Sequence, residues 1–98
     1  GEVIQFVPFN KRAWHAGISS FNGVDDCNDY SIGIELEGTD NSEFTDQQYN
    51  CLMKITKSLL LNYPNLCKER IVGHSTIAPN RKTDPGTFFN WSKLLDNL

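Results

Sequence analysis

The sequence predicts an α+β (α/β) domain in which helices flank a mixed β-sheet, and three observations carry that reading. Runs of β-branched and aromatic residues stand on both sides of one long helical pattern. That pattern opens on a capping signal and ends at a proline. The length, 98 residues, suits a single domain spanning 1–98 and leaves no room for a second core.

Glu2-Val3-Ile4-Gln5-Phe6-Val7 predicts a first strand, stopped by Pro8. From Pro8 to Asp29, Gly17, Asn22, Gly23, Asn28 and several aspartates break any period, which predicts a long loop of the kind that often carries function. Tyr30–Glu37 predicts a second strand, with Ile32, Ile34 and Leu36 on one face and Gly33, Glu35 and Glu37 on the other. Gly38-Thr39-Asp40-Asn41 is a turn. Thr45 and Gln48 form a capping-box pattern, and Asp46 suits the positive end of the helix that follows. Tyr49, Leu52, Met53, Thr56, Leu59, Leu60 and Tyr63 then recur at helical spacing until Pro64. Arg70–Gly73 predicts a short third strand leading to His74, and Ser75–Gly86 a loop punctuated by Pro79 and Pro85. Asn90–Leu95 predicts a closing helix with Trp91 and Leu95 on one face.

Composition narrows the function classes. Hydrophobic residues at 39% and charged residues at 21% are ordinary for a globular chain. Nine basic against twelve acidic residues leave a net charge of −3, which speaks against a nucleic-acid partner. The longest purely apolar run is Leu59-Leu60-Leu61, so no membrane span is expected. No basic segment followed by an apolar one opens the chain, so no secretion signal is read, and a start at Gly1 without an initiator Met leaves open a targeting segment that was removed or left out. Cys27, Cys51 and Cys67 are odd in number and lack C-x-x-C spacing. Reduced thiols in a cytosolic protein fit them better than a disulfide framework or a structural zinc knot.

Four places hold polar residues that suit chemistry. His74 follows Gly73 at the end of an apolar run, and Asp84 lies across a proline-containing loop in Arg81-Lys82-Thr83-Asp84-Pro85-Gly86. If that loop folds back, imidazole and carboxylate reach one metal, a reasonable partial ligand set for catalytic zinc. No H-E-x-x-H pattern is present, which excludes ordinary zincin chemistry. Glu35 shares a strand face with Glu37, and the pattern alone does not choose between them. Arg12-Ala13-Trp14-His15-Ala16-Gly17 sits in the long loop, where Trp14 can equally plug the core edge and His15 can be a surface histidine.

Four segments occur in order: Lys11–Gly17, Cys27–Gly38, Gly73-His74 and Ile77–Gly86. Together they closely resemble the AmpD-type N-acetylmuramoyl-L-alanine amidases, part of a wider zinc amidase family that includes peptidoglycan recognition proteins. The resemblance covers essentially the whole chain. It implies zinc in a groove at the end of a mixed sheet, and hydrolysis of the amide between the lactyl group of (1,6-anhydro-)N-acetylmuramic acid and L-alanine of the stem peptide. It implies a muropeptide substrate and cytoplasmic, bacterial cell-wall recycling. On it, His74 and Asp84 match zinc ligands, and Glu35 and Lys82 match the catalytic acid–base residue and lysine. Arg12, Trp14, His15 and Arg81 match substrate-binding positions. Aspartate at position 84, where relatives outside this branch often carry cysteine, favours the recycling type.

The resemblance also implies a gap. The family takes its first zinc histidine from an upstream strand, whereas this chain has only His15 and His74. The expectation is therefore a domain incomplete at its N-terminus, holding two of three ligands and inactive alone, that self-associates or pairs with an N-terminal segment. The alternative is a non-catalytic module that binds muramyl peptides.

Overall fold

The computed structural model describes residues 2–98. Its elements in chain order are β1 (Ser20–Phe21), β2 (Val24–Asp25), α1 (Asp46–Asn62), α2 (His74–Ile77) and α3 (Trp91–Leu95), with single 3₁₀ turns at Cys27–Asp29 and Lys68–Arg70.

α1 forms for local reasons. Thr45 Oγ1 accepts from the Gln48 amide while Gln48 Oε1 accepts from the Thr45 amide, so two amides that the first turn leaves open are satisfied reciprocally. The helix ends at Asn62, with Tyr63 as C-cap, one residue before Pro64. Its buried face presents Tyr49, Leu52 and Thr56, and the Thr56 hydroxyl is satisfied by the Leu52 carbonyl at 2.7 Å.

The core lies between that face and the C-terminal segment, where Tyr49, Leu52, Phe89 and Leu94 are buried together. Phe89 stacks edge-on against Phe44 and Trp91, with ring centroids 5.6 and 4.7 Å away. α3 is capped by Asn90, whose side chain accepts from the Lys93 amide at 3.0 Å. Lys93 pairs with Asp46 across the α1–α3 contact, and this hydrogen-bonded ammonium holds the Asp46 carboxyl below its usual range. Leu36 and Ile71 pack on the same core from outside. They anchor the backbone one residue after Glu35 and three residues before His74, which carries the packing through to the site.

The domain is α+β, but its sheet is one antiparallel hairpin pairing Ser20 with Asp25 and Phe21 with Val24. That hairpin falls inside the expected loop. Its turn residues Asn22 and Gly23 have φ of 51° and 81°, and two positive values are what a tight type I′ hairpin requires. The strands expected at 2–7, 30–37 and 70–73 form no ladder among the described residues, and Arg70 closes a 3₁₀ turn instead. β-propensity measures fit to a paired, half-buried surface, not a backbone preference. Here Val3, Ile4, Phe6 and Ile34 remain exposed, and these stretches have no neighbouring strand among the described residues. No helix among the described residues is long and apolar enough to cross a membrane.

Candidate functional site

His74 opens α2, directly after Gly73. The loop that follows returns to it: the Ser75 amide donates to the Asp84 carbonyl at 3.0 Å. This return sets His74 Nδ1 3.2 Å from Asp84 Oδ2, across a separation of ten residues. Gly73 admits the approach, because a Cβ there would stand 2.8 Å from Pro85 Cδ and 3.3 Å from the Trp91 ring. A second clasp fixes the loop from outside. Thr83 Oγ1 donates to Asp40 Oδ2, and Gly86, at φ +83°, lies against the Asp40 backbone with no room for a side chain.

The far side of the imidazole decides its chemistry. His74 Nε2 is 2.8 Å from the Ala16 carbonyl, which can only accept, so Nε2 carries the proton. Nδ1, on the other side of the ring, faces a carboxylate oxygen. Two acceptors at 3.2 Å require a shared proton or cation between them. Donors on adjacent positions of a tetrahedral zinc, each about 2.0–2.2 Å from the ion, would stand roughly 3.3–3.6 Å apart. The pair fits that edge closely, and the bond from Nε2–H to a backbone carbonyl is the usual orienting contact of a metal-bound histidine. No third histidine, cysteine or carboxylate joins them among the described residues.

The Ala16 peptide is held on both sides. Its N–H donates to the buried Asn28 side chain at 2.7 Å, and the His15 N–H reaches the same oxygen at 3.0 Å. Its carbonyl accepts from Arg81 Nη2 at 2.6 Å as well as from His74. Arg81 Nη2 also donates to the Ile18 carbonyl at 2.8 Å, so both its hydrogens are engaged by the loop. An open recess of about 380 Å³ beside Arg81 is lined by Ile18, Asp25, Asp26, Ile77 and Pro79, and does not include His74 or Asp84.

The remaining expected residues fall into two groups. Arg12 pairs with Asp29 at 2.9 Å and lies over the Trp14 ring, 4.0 Å from its centroid. Trp14 is 80% exposed, so it plugs no core; it presents a wide apolar face backed by a cation. The His15 ring rests on Gly33, where a Cβ would lie 2.6 Å from the ring, and its Nε2 meets Ser31. The Trp14–His15 stretch therefore packs on the segment that carries Glu35. Glu35 and Lys82 are both exposed, and neither side chain has a hydrogen bond or ion pair among the described residues. Glu37 is exposed too, but its carbonyl is tied to α1 by Gln48 Nε2 at 2.7 Å. Ala16 and Gly17 fall inside the Arg12–Gly17 stretch singled out from the sequence, but the part played by the Ala16 backbone was not expected, and Asn28 was not singled out as a site residue. Ala16 acts through its backbone, which leaves no residue-type signal, and a buried asparagine in a polar loop looks like any turn residue.

The N-acetylmuramoyl-L-alanine amidase family matches residues 1–87. The 1,6-anhydro-N-acetylmuramyl-L-alanine amidase AmpD of Enterobacter cloacae is 58% identical over 94 residues, which cover 96% of this chain and 50% of the relative. A crystal structure of a selenomethionine AmpD derivative superposes with a TM-score of 0.95 at 52% identity, over 100% of this chain and 54% of that one. AmpDh3 from Pseudomonas aeruginosa, crystallised in complex with an anhydromuramic pentapeptide, gives a TM-score of 0.87 at 36% identity, covering 96% of this chain and 40% of that one. The chain thus spans about half the length of the curated relatives it matches.

Proposed function

The chain belongs to the N-acetylmuramoyl-L-alanine amidase family, and from that premise we propose that its protein hydrolyses the amide between (1,6-anhydro-)N-acetylmuramic acid and L-alanine of the peptidoglycan stem, in cytoplasmic cell-wall recycling. The observation that carries the reading is the His74–Asp84 pair at 3.2 Å, with the opposite ring nitrogen engaged by a backbone carbonyl. The relative bound to an anhydromuramic pentapeptide supports the substrate class.

In this reading His74 and Asp84 supply two zinc ligands, and the third comes from outside these 98 residues. Zinc, when bound, polarises the scissile carbonyl and lowers the pKa of water from about 15.7 toward 7. Glu35 takes the proton of the attacking water and delivers it to the leaving amine of L-alanine. The Lys82 ammonium faces the oxyanion of the tetrahedral intermediate. Trp14, backed by Arg12, offers a face for the sugar, while His15 and the remaining donors of Arg81 line the approach of the peptide. The exposed Val3, Ile4 and Phe6 support pairing of the 2–7 segment with a further strand, from a second copy or from elsewhere in a longer protein.

The test is zinc affinity and stoichiometry of the 98-residue chain beside its His74→Ala and Asp84→Asn variants. Weak binding in the parent that both substitutions abolish supports the reading; binding indifferent to both sinks it. The second reading is a non-catalytic muramyl-peptide binder, with His74 and Asp84 the two donors clustered among the described residues. Release of free peptide from an anhydro-muramyl peptide by a form with all three ligands excludes it.

A further inference from the structure

We propose that Arg81 is a positioning residue that sets the tautomer and aim of His74 by holding the Ala16 peptide; the inference rests on the zinc reading of His74 and Asp84. Arg81 sits on the same return loop as Asp84 and reaches across to the loop facing His74. Both carbonyls it binds, Ala16 at 2.6 Å and Ile18 at 2.8 Å, flank Gly17. Gly17 has φ +66°, and a Cβ there would lie 2.9 Å from Nη2 and 3.2 Å from Nη1, so the guanidinium packs flat on the bare glycine. The Ala16 carbonyl thus accepts from two donors, Arg81 and His74.

The consequence for His74 is specific. Gly17 and Ile18 are exposed; the Gly17 carbonyl is held by the Ser19 hydroxyl at 3.0 Å, whereas the Ala16 carbonyl accepts from Arg81 and His74. With Arg81 removed, the Ala16 carbonyl is free to rotate away. Nε2 then loses the acceptor that requires its hydrogen, and the proton redistributes between the two ring nitrogens. Only the Nε2–H form leaves Nδ1 open toward Asp84. The two hydrogens of the planar Nη2 diverge at a fixed angle onto the Ala16 and Ile18 carbonyls, a spread that a rotating ammonium does not hold, so lysine should restore the effect only in part.

The experiment follows ring-nitrogen tautomers by long-range proton–nitrogen NMR in the metal-free 98-residue chain, whose two histidines are separated by a His74→Ala control. Zinc affinity is measured in parallel by competition with a chromogenic chelator. The parent should show His74 protonated at Nε2. Arg81→Ala should mix the tautomers and weaken zinc about 10–100-fold, the usual effect of losing an orienting contact, with Arg81→Lys intermediate. Should Arg81→Ala fail to fold, Gly17→Ala, which pushes the guanidinium off the turn, should produce the same mixing. An unchanged His74 tautomer with zinc affinity within about twofold in the folded variants would overturn the proposal. Mixed tautomers in Arg81→Ala, with no His74-dependent zinc binding in the parent, would uphold the positioning role and sink the zinc reading.

Discussion

Replacing Gly86 by alanine tests how the Asp84 loop is held. Gly86 has φ +83°, a left-handed conformation that costs a residue with a Cβ about 1–2 kcal/mol. The new methyl would also meet the Asp40 carbonyl oxygen and Cα, which are backbone atoms that cannot swing aside. The 39–42 turn must therefore retreat, loosening the bond from Thr83 to Asp40 at a further cost of about 0.5–1.5 kcal/mol. A destabilisation of about 2–3 kcal/mol at a urea m-value near 2 kcal/mol/M lowers the unfolding midpoint by roughly 1–1.5 M. Urea titration followed by far-UV circular dichroism reads that shift, and an unchanged m-value would confirm that stability alone has moved. Because Asp84 lies two residues upstream, zinc affinity should fall in the same variant. A midpoint within about 0.3 M of the parent would refute the clasp between the 39–42 turn and the 83–86 loop.

Three further outcomes are expected. Thr45→Ala removes the acceptor for the Gln48 amide and should cost about 1 kcal/mol, with helical ellipticity lost first; a cost near zero would mean that the capping box does not hold α1. Leu94→Ala opens a cavity where the side chain is 2% exposed and should cost about 2–5 kcal/mol in the same titration, an effect a surface-like position would not show. The hydrogen bond with the Cys27 thiol, then desolvation, pushes the Tyr30 phenol from 10.0 up to about 12. A raised pKa means that this stabilisation is complete below the ordinary value and lost as pH rises through the raised one. Absorbance at 295 nm should therefore show one of the three tyrosines ionising late, and Cys27→Ala should bring it back toward the others; a single step for all three in the parent would contradict it.

What could be read ahead of the structure divides by the range of the interaction. α1 was legible in full because its causes are local: a reciprocal cap, a 3.6-residue period and a proline stop all lie within its own stretch. The strands were not, because a ladder is a property of two segments. Tyr30–Glu37 has the right residues, yet no partner lies beside it among the described residues, and Ile34 stays exposed while Ile32 and Leu36 are half-buried. Asn22-Gly23 was legible in principle, being the strongest short hairpin signal, but the asparagines, glycines and aspartates around it masked two-residue strands. At the site, the return of Asp84 to His74 was readable from proline punctuation and residue chemistry. The clasp of Asp40 on Thr83 joins positions 43 apart and left no trace in spacing.

The Ala16 contact shows why its own part in the site left no signal in the sequence, and where constraint should fall. A backbone carbonyl orients the imidazole, so the side chain at position 16 has no part in that chemistry and need only fit its buried place. Position 17 is different: a left-handed φ and a guanidinium lying where a Cβ would be leave glycine alone without strain. Asn28 must both accept two amides and be small enough to sit buried beneath the loop, which glutamine cannot do without moving the Ala16 peptide. Substitutions that preserve His74 and Asp84 can therefore still disturb the pair. Gly17→Ala and Asn28→Gln should each disturb His74 more than any change of side chain at 16 that keeps the loop packed.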